Sequence, residues 1–335
     1  MMNILGLTKI NSGCGYHRIS CPLGFMHDIK GYITNIPTPE ILEEKWDIIF
    51  YNRFSSIDNQ LDEYKKKYKI ILDLDDDWIL PPNHLSYYEY KTLQNRIEEN
   101  IIKADLVTCS NERILNRVQP LNKNSIIIPN GLPYGFDQFN TDKIEEEKIR
   151  IFWCGSITHN HDIEILRRPL SKLTQYKSKI KMILGGYDDS NMASKVLWDR
   201  MLSAFTQGKQ LDYAVIRSLL PNKYMEMYKY ADIMVIPLEN SEWHAAKSNL
   251  KILEAASKKI PVIVSAVEPY INDQDAPLFF VRKQTDWFKH LNYLINDEQA
   301  RKESGEALYQ WAVKKYNLIN INHDRRKAFS DLIKA

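Results

Sequence analysis

The sequence predicts an α/β protein built from two doubly wound parallel sheets with helices on both faces. Three observations lead there. Short apolar runs rich in Ile and Val recur at residues 3–7, 47–51, 69–74, 106–109 and 125–128, and again at 149–154, 181–184, 233–236 and 261–264. Runs this short, without polar alternation, suit strands covered on both faces. The stretches between them are long and amphipathic enough for crossover helices, and such alternation marks parallel sheets. Finally, 335 residues exceed one ordinary core and suit two domains of ~150 residues each.

The first series of strands defines a domain over residues 1–140 and the second a domain over 149–305. The stretch 133–148 (PYGFDQFNTDKIEEEK) carries Gly, Pro, Asn and a charge run, and reads as the boundary. The tail 306–335 is helical, with amphipathic segments at 300–316 and 323–333. Lys and Arg total 45 against 43 Asp and Glu, a net charge of +2 that is too small to indicate nucleic-acid binding by charge alone. The four cysteines, Cys14, Cys21, Cys109 and Cys154, form no C-x-x-C pair. This spacing argues against a zinc site and suits reduced thiols in a cytoplasmic protein. The N-terminal residues are too polar for a signal peptide, and no run approaches the ~20 apolar residues of a membrane span.

Ligands of open parallel sheets bind beyond the carboxyl ends of the strands. The residues to inspect there are Gly13, Gly15 and Arg18, then Asn52-Arg53, the run Asp73-Leu74-Asp75-Asp76-Asp77, Gly155-Ser156 and Gly185-Gly186. Arg18 suits a phosphate or a carboxylate, or an ordinary surface position. The acidic run has three readings: a divalent metal, an acceptor-facing carboxylate (Asp75 or Asp77) that orients a hydroxyl or takes its proton, or a strand end whose Asp caps the next helix. His159 and His161 are two residues apart, which does not put them on one helical face as a metal pair.

The segment 241–265 carries the most information. From Lys247 it reads as a helix whose one polar stripe is Lys247, Lys251, Glu254 and Lys258, the rest being apolar. A solvated stripe held by side-chain pairs is one account. The other is a bound anion, because Lys247 in a first helical turn opposes the macrodipole unless an anion sits there. Helix-start amides, Ser248 and two lysines then hold a diphosphate, and Glu254 accepts from ribose hydroxyls.

The stretch YADIMVIPLENSEWHAAKSNLKILEAASKKIPVIVS, with ADLVTCS, IIIPNGL and IRIFWCGSITHNHDIEIL in that family's order, resembles the group 1 glycosyltransferases (glycosyltransferase family 4-like). The K-S-x-x-K-x-L-E pattern and the LDLDDDW segment resemble a divergent phage and bacterial branch of it. The resemblance implies the GT-B architecture, two Rossmann-like domains facing a central cleft, with the final helix crossing back to the first. It implies a retaining enzyme that moves a sugar from a UDP- or GDP-sugar to a hydroxyl. The acceptor is a glycan, a lipid-linked sugar or a hydroxymethylated DNA base. No further cofactor and no metal are expected, since lysines and helix amides neutralise the diphosphate. Glu254 matches the second glutamate of the family's E-x7-E motif, whose first place is held here by Ala246. Lys247, Ser248 and Lys251 lie near the diphosphate, with Gly13, Gly15, Arg18, Gly155 and Ser156 around the donor. Asp75, Asp77 and Lys251 are the catalytic candidates. A sugar-nucleotide epimerase of the same fold, or a non-catalytic sugar-nucleotide-binding module, is the alternative.

Overall fold

The computed structural model describes residues 1–334. The chain forms two compact units. Unit 1 takes Met1–Pro133, Ala246–Ser248 and the chain from Tyr316 onward; unit 2 takes Tyr134–Ala245 and Asn249–Lys315.

Unit 1 is built on six parallel strands: β1 (Met2–Leu7), β2 (Ile29–Thr34), β3 (Ile48–Asn52), β4 (Lys69–Leu74), β5 (Leu106–Cys109) and β6 (Ser125–Ile127), in the order β2-β1-β3-β4-β5-β6. The central strands are continuous apolar runs because both faces are covered. Leu5, Ile49, Tyr51, Ile70 and Leu72 point to one core with Trp78, Ile97 and Ile101. Their neighbours Ile4, Ile48, Phe50 and Ile71 point to the other, with Ile19 and Phe329. The helix Leu318–Lys334 supplies Phe329, whose ring meets Phe50 edge-on at 5.1 Å.

Unit 2 has β7 (Ile149–Cys154), β8 (Ile180–Tyr187), β9 (Tyr213–Arg217), β10 (Ile233–Ile236), β11 (Val262–Ser265) and β12 (Phe279–Val281), parallel, in the order β12-β11-β10-β7-β8-β9. The winding direction reverses between β7 and β10. Their carboxyl ends therefore flank a topological switch point, where sheets of this type bind ligands.

Three strands lie outside the runs read from the sequence: β2, β9 and β12. All three are sheet edges. Four of the six residues of β2 are exposed, and β12 has only three residues. An edge strand has a neighbour on one side only and needs no continuous apolar run.

The helix expected from Lys247 begins at Leu250 and runs to Ser257. The residues before it are held otherwise. Asn111 Nδ2 donates to the Ala246 carbonyl at 2.9 Å and reaches that of Lys247 at 3.4 Å. Lys247 thus precedes the helix and does not lie in its first turn.

Candidate functional site

In unit 2 the site grows from the end of β7. Trp153 is buried, and the chain leaves the strand at Gly155. A Cβ there would lie 3.1 Å from both the Lys251 Nζ and the Trp153 ring. At the end of β8, Gly186 has φ +91°, and a Cβ on it would come within 2.3 Å of the Gly155 carbonyl. Gly186 needs glycine, for its positive φ and for the Gly155 carbonyl, while at Gly155 a side chain would press on Lys251 and Trp153. Lys251 Nζ lies over the Trp153 ring at 5.6 Å, a cation–π geometry. Ser156 is exposed, its Oγ 2.5 Å from Thr158 Oγ1.

Glu254 is 4% exposed, on the same helix as Lys251. Its Oε2 accepts from the Tyr228 hydroxyl at 2.5 Å, and Cys154 Sγ donates to that hydroxyl at 3.1 Å. Burial, with Glu254 adding, pushes the Cys154 thiol up to about 11, so it stays protonated at neutral pH. The last lysine of the stripe is different. Lys258 is fully buried and donates to the backbone and side-chain oxygens of Asn140 at 2.7 and 2.8 Å. Burial lowers it to about 8. The Glu254–Lys258 pair of a solvated stripe is not the arrangement found.

In unit 1 the acidic run sits where β4 ends, and each of its carboxylates meets a cation. Asp73, fully buried, takes two bonds from Arg18, at 2.9 and 2.8 Å, and one from Thr108 at 2.6 Å. Arg18 is itself fully buried and also donates to Asn130 and the Ile128 carbonyl. Its expected place at the donor is thereby corrected: the guanidinium is spent on the core of unit 1. Asp75 pairs with Arg53 at 3.0 Å and accepts from Asn52 at 3.1 Å. Burial pushes Asp75 up, but Arg53 and the bonds from Cys14 and Asn52 outweigh it and hold the carboxyl below its usual range. A carboxylate so held is a weak proton acceptor near neutrality, which favours orienting a hydroxyl over deprotonating it.

Asp76 pairs with Lys247 at 3.2 Å. Lys247 and Ser248 group with unit 1, and the helix that carries Lys251 groups with unit 2. Asp77 is 4% exposed; its Oδ1 accepts from the Ile79 amide at 3.0 Å and its Oδ2 meets Arg117 at 3.2 Å. Asp77 therefore has the turn-capping geometry and does not join Asp75. Gly15 is sterically required, since a Cβ would overlap Thr8 Oγ1 at 1.7 Å, and its amide is taken by Ser12 Oγ at 3.0 Å. Gly13 faces open space.

A cavity of about 430 Å³ opens beside this network, at the carboxyl ends of β1 and β3. Thr8, Lys9, Asn52, Arg53, Ser55 and Tyr90 are among its walls. Arg53 has φ +59°, costly for a residue with a side chain, and donates to Tyr90 and to Cys14 Sγ. The sequence flagged Arg53 only as a strand-end residue, and no signal in it announced Tyr90 or Tyr228.

Residues 148–297 match the family model described as glycosyl transferases group 1. A comparison with the curated proteins finds no match. Among solved structures the chain is similar to sucrose-phosphate synthase from Thermosynechococcus elongatus, with a TM-score of 0.73 and 12% identity over all of both chains. It is similar to Anabaena HepE, solved with UDP and glucose, with a TM-score of 0.67 and 13% identity over 98% of this chain and 100% of that one. A third is a UDP-forming alpha,alpha-trehalose-phosphate synthase from Burkholderia xenovorans, with a TM-score of 0.62 and 13% identity over 88% of this chain and 76% of that one. At these identities the likeness is one of fold.

Proposed function

We propose that this chain, a group 1 glycosyltransferase by its domain over residues 148–297 and GT-B in fold, transfers a sugar with retention from a UDP-sugar to a hydroxyl acceptor. One observation carries the reading. Beside the switch point of unit 2, Lys251 lies over Trp153 and against Gly155, whose backbone in turn packs on Gly186. A cation so placed suits a diphosphate, which leaves as the donor bond breaks. Glu254, lower on the same helix and fixed by Tyr228, suits the ribose. The solved HepE structures hold UDP, which favours uridine over guanosine here.

Unit 1 takes the acceptor in this reading. Its cavity is lined by hydroxyl, amide and guanidinium groups with an aromatic wall, a surface suited to a sugar ring. Asp75, held ionised by Arg53, orients the attacking hydroxyl. The acidic run is assigned no metal, because Arg18, Arg53, Lys247 and Arg117 already meet its carboxylates.

The test is incubation of the purified protein with UDP-, GDP- and ADP-sugars, with and without glycan, lipid-linked and hydroxymethylated-DNA acceptors, followed by mass spectrometry. Transfer from a UDP-sugar with the anomeric configuration kept, read by NMR, supports the reading. An altered sugar nucleotide released without acceptor would make the protein an epimerase. Binding with no turnover on any acceptor would make it a binding module.

A further inference from the structure

Beside the point where β7 and β10 diverge, a second group of side chains in unit 2 converges that the reading above leaves unused. Asp162, 1% exposed, lies in the short helix Asn160–Glu164 after β7. Glu239 follows β10, and His244 lies in the turn of helix Glu242–Ala245. One nitrogen or oxygen from each lies within 4.8 Å of the other two, and no other such trio occurs among the described residues. His244 Nε2 stands 3.5 Å from Asp162 Oδ1. That is long for a hydrogen bond. It is close to the ~3.4 Å that separates two donors bound at ~2.1 Å to one tetrahedral ion.

The surroundings hold these groups in a ligating posture. Ser241 Oγ is 2.8 Å from His244 Nδ1; with Nδ1–H donating to Ser241 the Nε2 lone pair faces Asp162, and with the other tautomer Nε2–H faces it, a proton that a bound ion replaces. His159 Nδ1 is 2.6 Å from Asp162 Oδ2, and the Glu239 amide donates to Asp162 Oδ1 at 2.8 Å. Outer partners of this kind fix the ring and the carboxylate of a metal ligand. An imidazole with two carboxylates suits zinc or manganese, and three protein ligands leave a position open.

We propose that Asp162, Glu239 and His244 bind one divalent ion of the zinc or manganese type, with an open position toward the switch point of the unit 2 sheet. This departs from the expectation of no metal. The sequence hid the site because Asp162 lies 77 residues before Glu239, and only folding brings it to Glu239 and His244. Only the role of the open position, which suits a diphosphate oxygen, rests on the sugar-nucleotide reading. The ion site itself does not.

The experiment titrates Zn²⁺, and separately Mn²⁺, into the EDTA-treated full chain by calorimetry, with no nucleotide present. Tetrahedral absorption of Co²⁺ serves as a second readout. His244→Ala and Glu239→Gln are the variants; both keep Asp162 with its bonds from His159 and the Glu239 backbone, and both keep all four cysteines. The expected result is one equivalent of Zn²⁺ or Mn²⁺ in the native chain, bound at least tenfold more weakly in each variant, with the melting temperature of the metal-free protein little changed. Absence of stoichiometric uptake of either ion by the native chain overturns the site. So does native-strength binding in either variant. Because no donor is present, a negative result leaves the glycosyl-transfer reading standing.

Discussion

The carboxyl ends of the two sheets manage charge in opposite ways. In unit 1, Asp73, Asp75, Asp76 and Asp77 are met one by one by Arg18, Arg53, Lys247 and Arg117. In unit 2, Lys251 lies over an aromatic ring beside a glycine, and Glu254 is bound by a phenol. The first arrangement is neutralised from within. The second sets a lysine against an aromatic face and a glutamate against a phenol, the groups to which the proposed donor site assigns the diphosphate and the ribose. The conspicuous run DLDDDW is therefore mostly architecture, while Lys251 and Glu254 on one helix are the residues of the donor site proposed above.

The largest test of that contrast is one of stability. Arg18→Met leaves Asp73 buried without its cation, and losing one partner of a buried pair costs ~3–5 kcal/mol. The urea midpoint should fall accordingly, whereas Lys251→Met should move it by less than ~1 kcal/mol. Equal losses would erase the distinction between the two ends.

Activity should run the other way. Lys251→Ala is expected to lower transfer at subsaturating UDP-sugar at least tenfold, ~1.4 kcal/mol of transition-state stabilisation. Lys247→Ala, whose ammonium meets Asp76, should lose less. Initial rates of the two variants at one donor concentration decide it, and a larger loss at Lys247 would move the diphosphate site. Glu254→Ala is the poorer probe, because it leaves the buried Tyr228 hydroxyl without its acceptor.

Within unit 1, Asp75→Asn should slow acceptor-dependent transfer several-fold while the Kd for UDP-sugar stays the same. Asp77→Asn should transfer like the native chain, since Asp77 caps the turn at Ile79. Calorimetry of donor binding alongside product formation separates these effects. Matching defects in both variants would mean that the run acts as one unit.

A separate effect concerns pH. Lys258 titrates at about 8 when folded, below its ordinary 10.5. Between those values the unfolded chain binds more protons, so stability contributed by this group rises as pH climbs from about 8 toward 10.5 and is flat below 8. Urea midpoints at pH 7.5 and 9.5 should show that rise in the native protein, and Lys258→Met should lose it.

Much of this molecule was decided by local pattern. Nine of the twelve strands fall in the short apolar runs, and eight of these are interior to their sheets, where a strand covered on both faces has little room for polar alternation. The motif of Lys251 and Glu254 was visible because a helix with one polar stripe and otherwise apolar faces is unusual. Tertiary structure decided the rest. The edge strands β2, β9 and β12 are set by the neighbour they pair with, so nothing within them need be apolar. Arg18 looked like a ligand after a glycine loop, yet its partner Asp73 lies 55 residues away, and its role depends on that distance being closed. Lys247 looked like the first turn of a helix until Asn111 and Asp76, both more than 100 residues earlier, claimed its carbonyl and its ammonium. A charge's task depends on which opposite charge folding brings beside it, and that is a property of long-range packing.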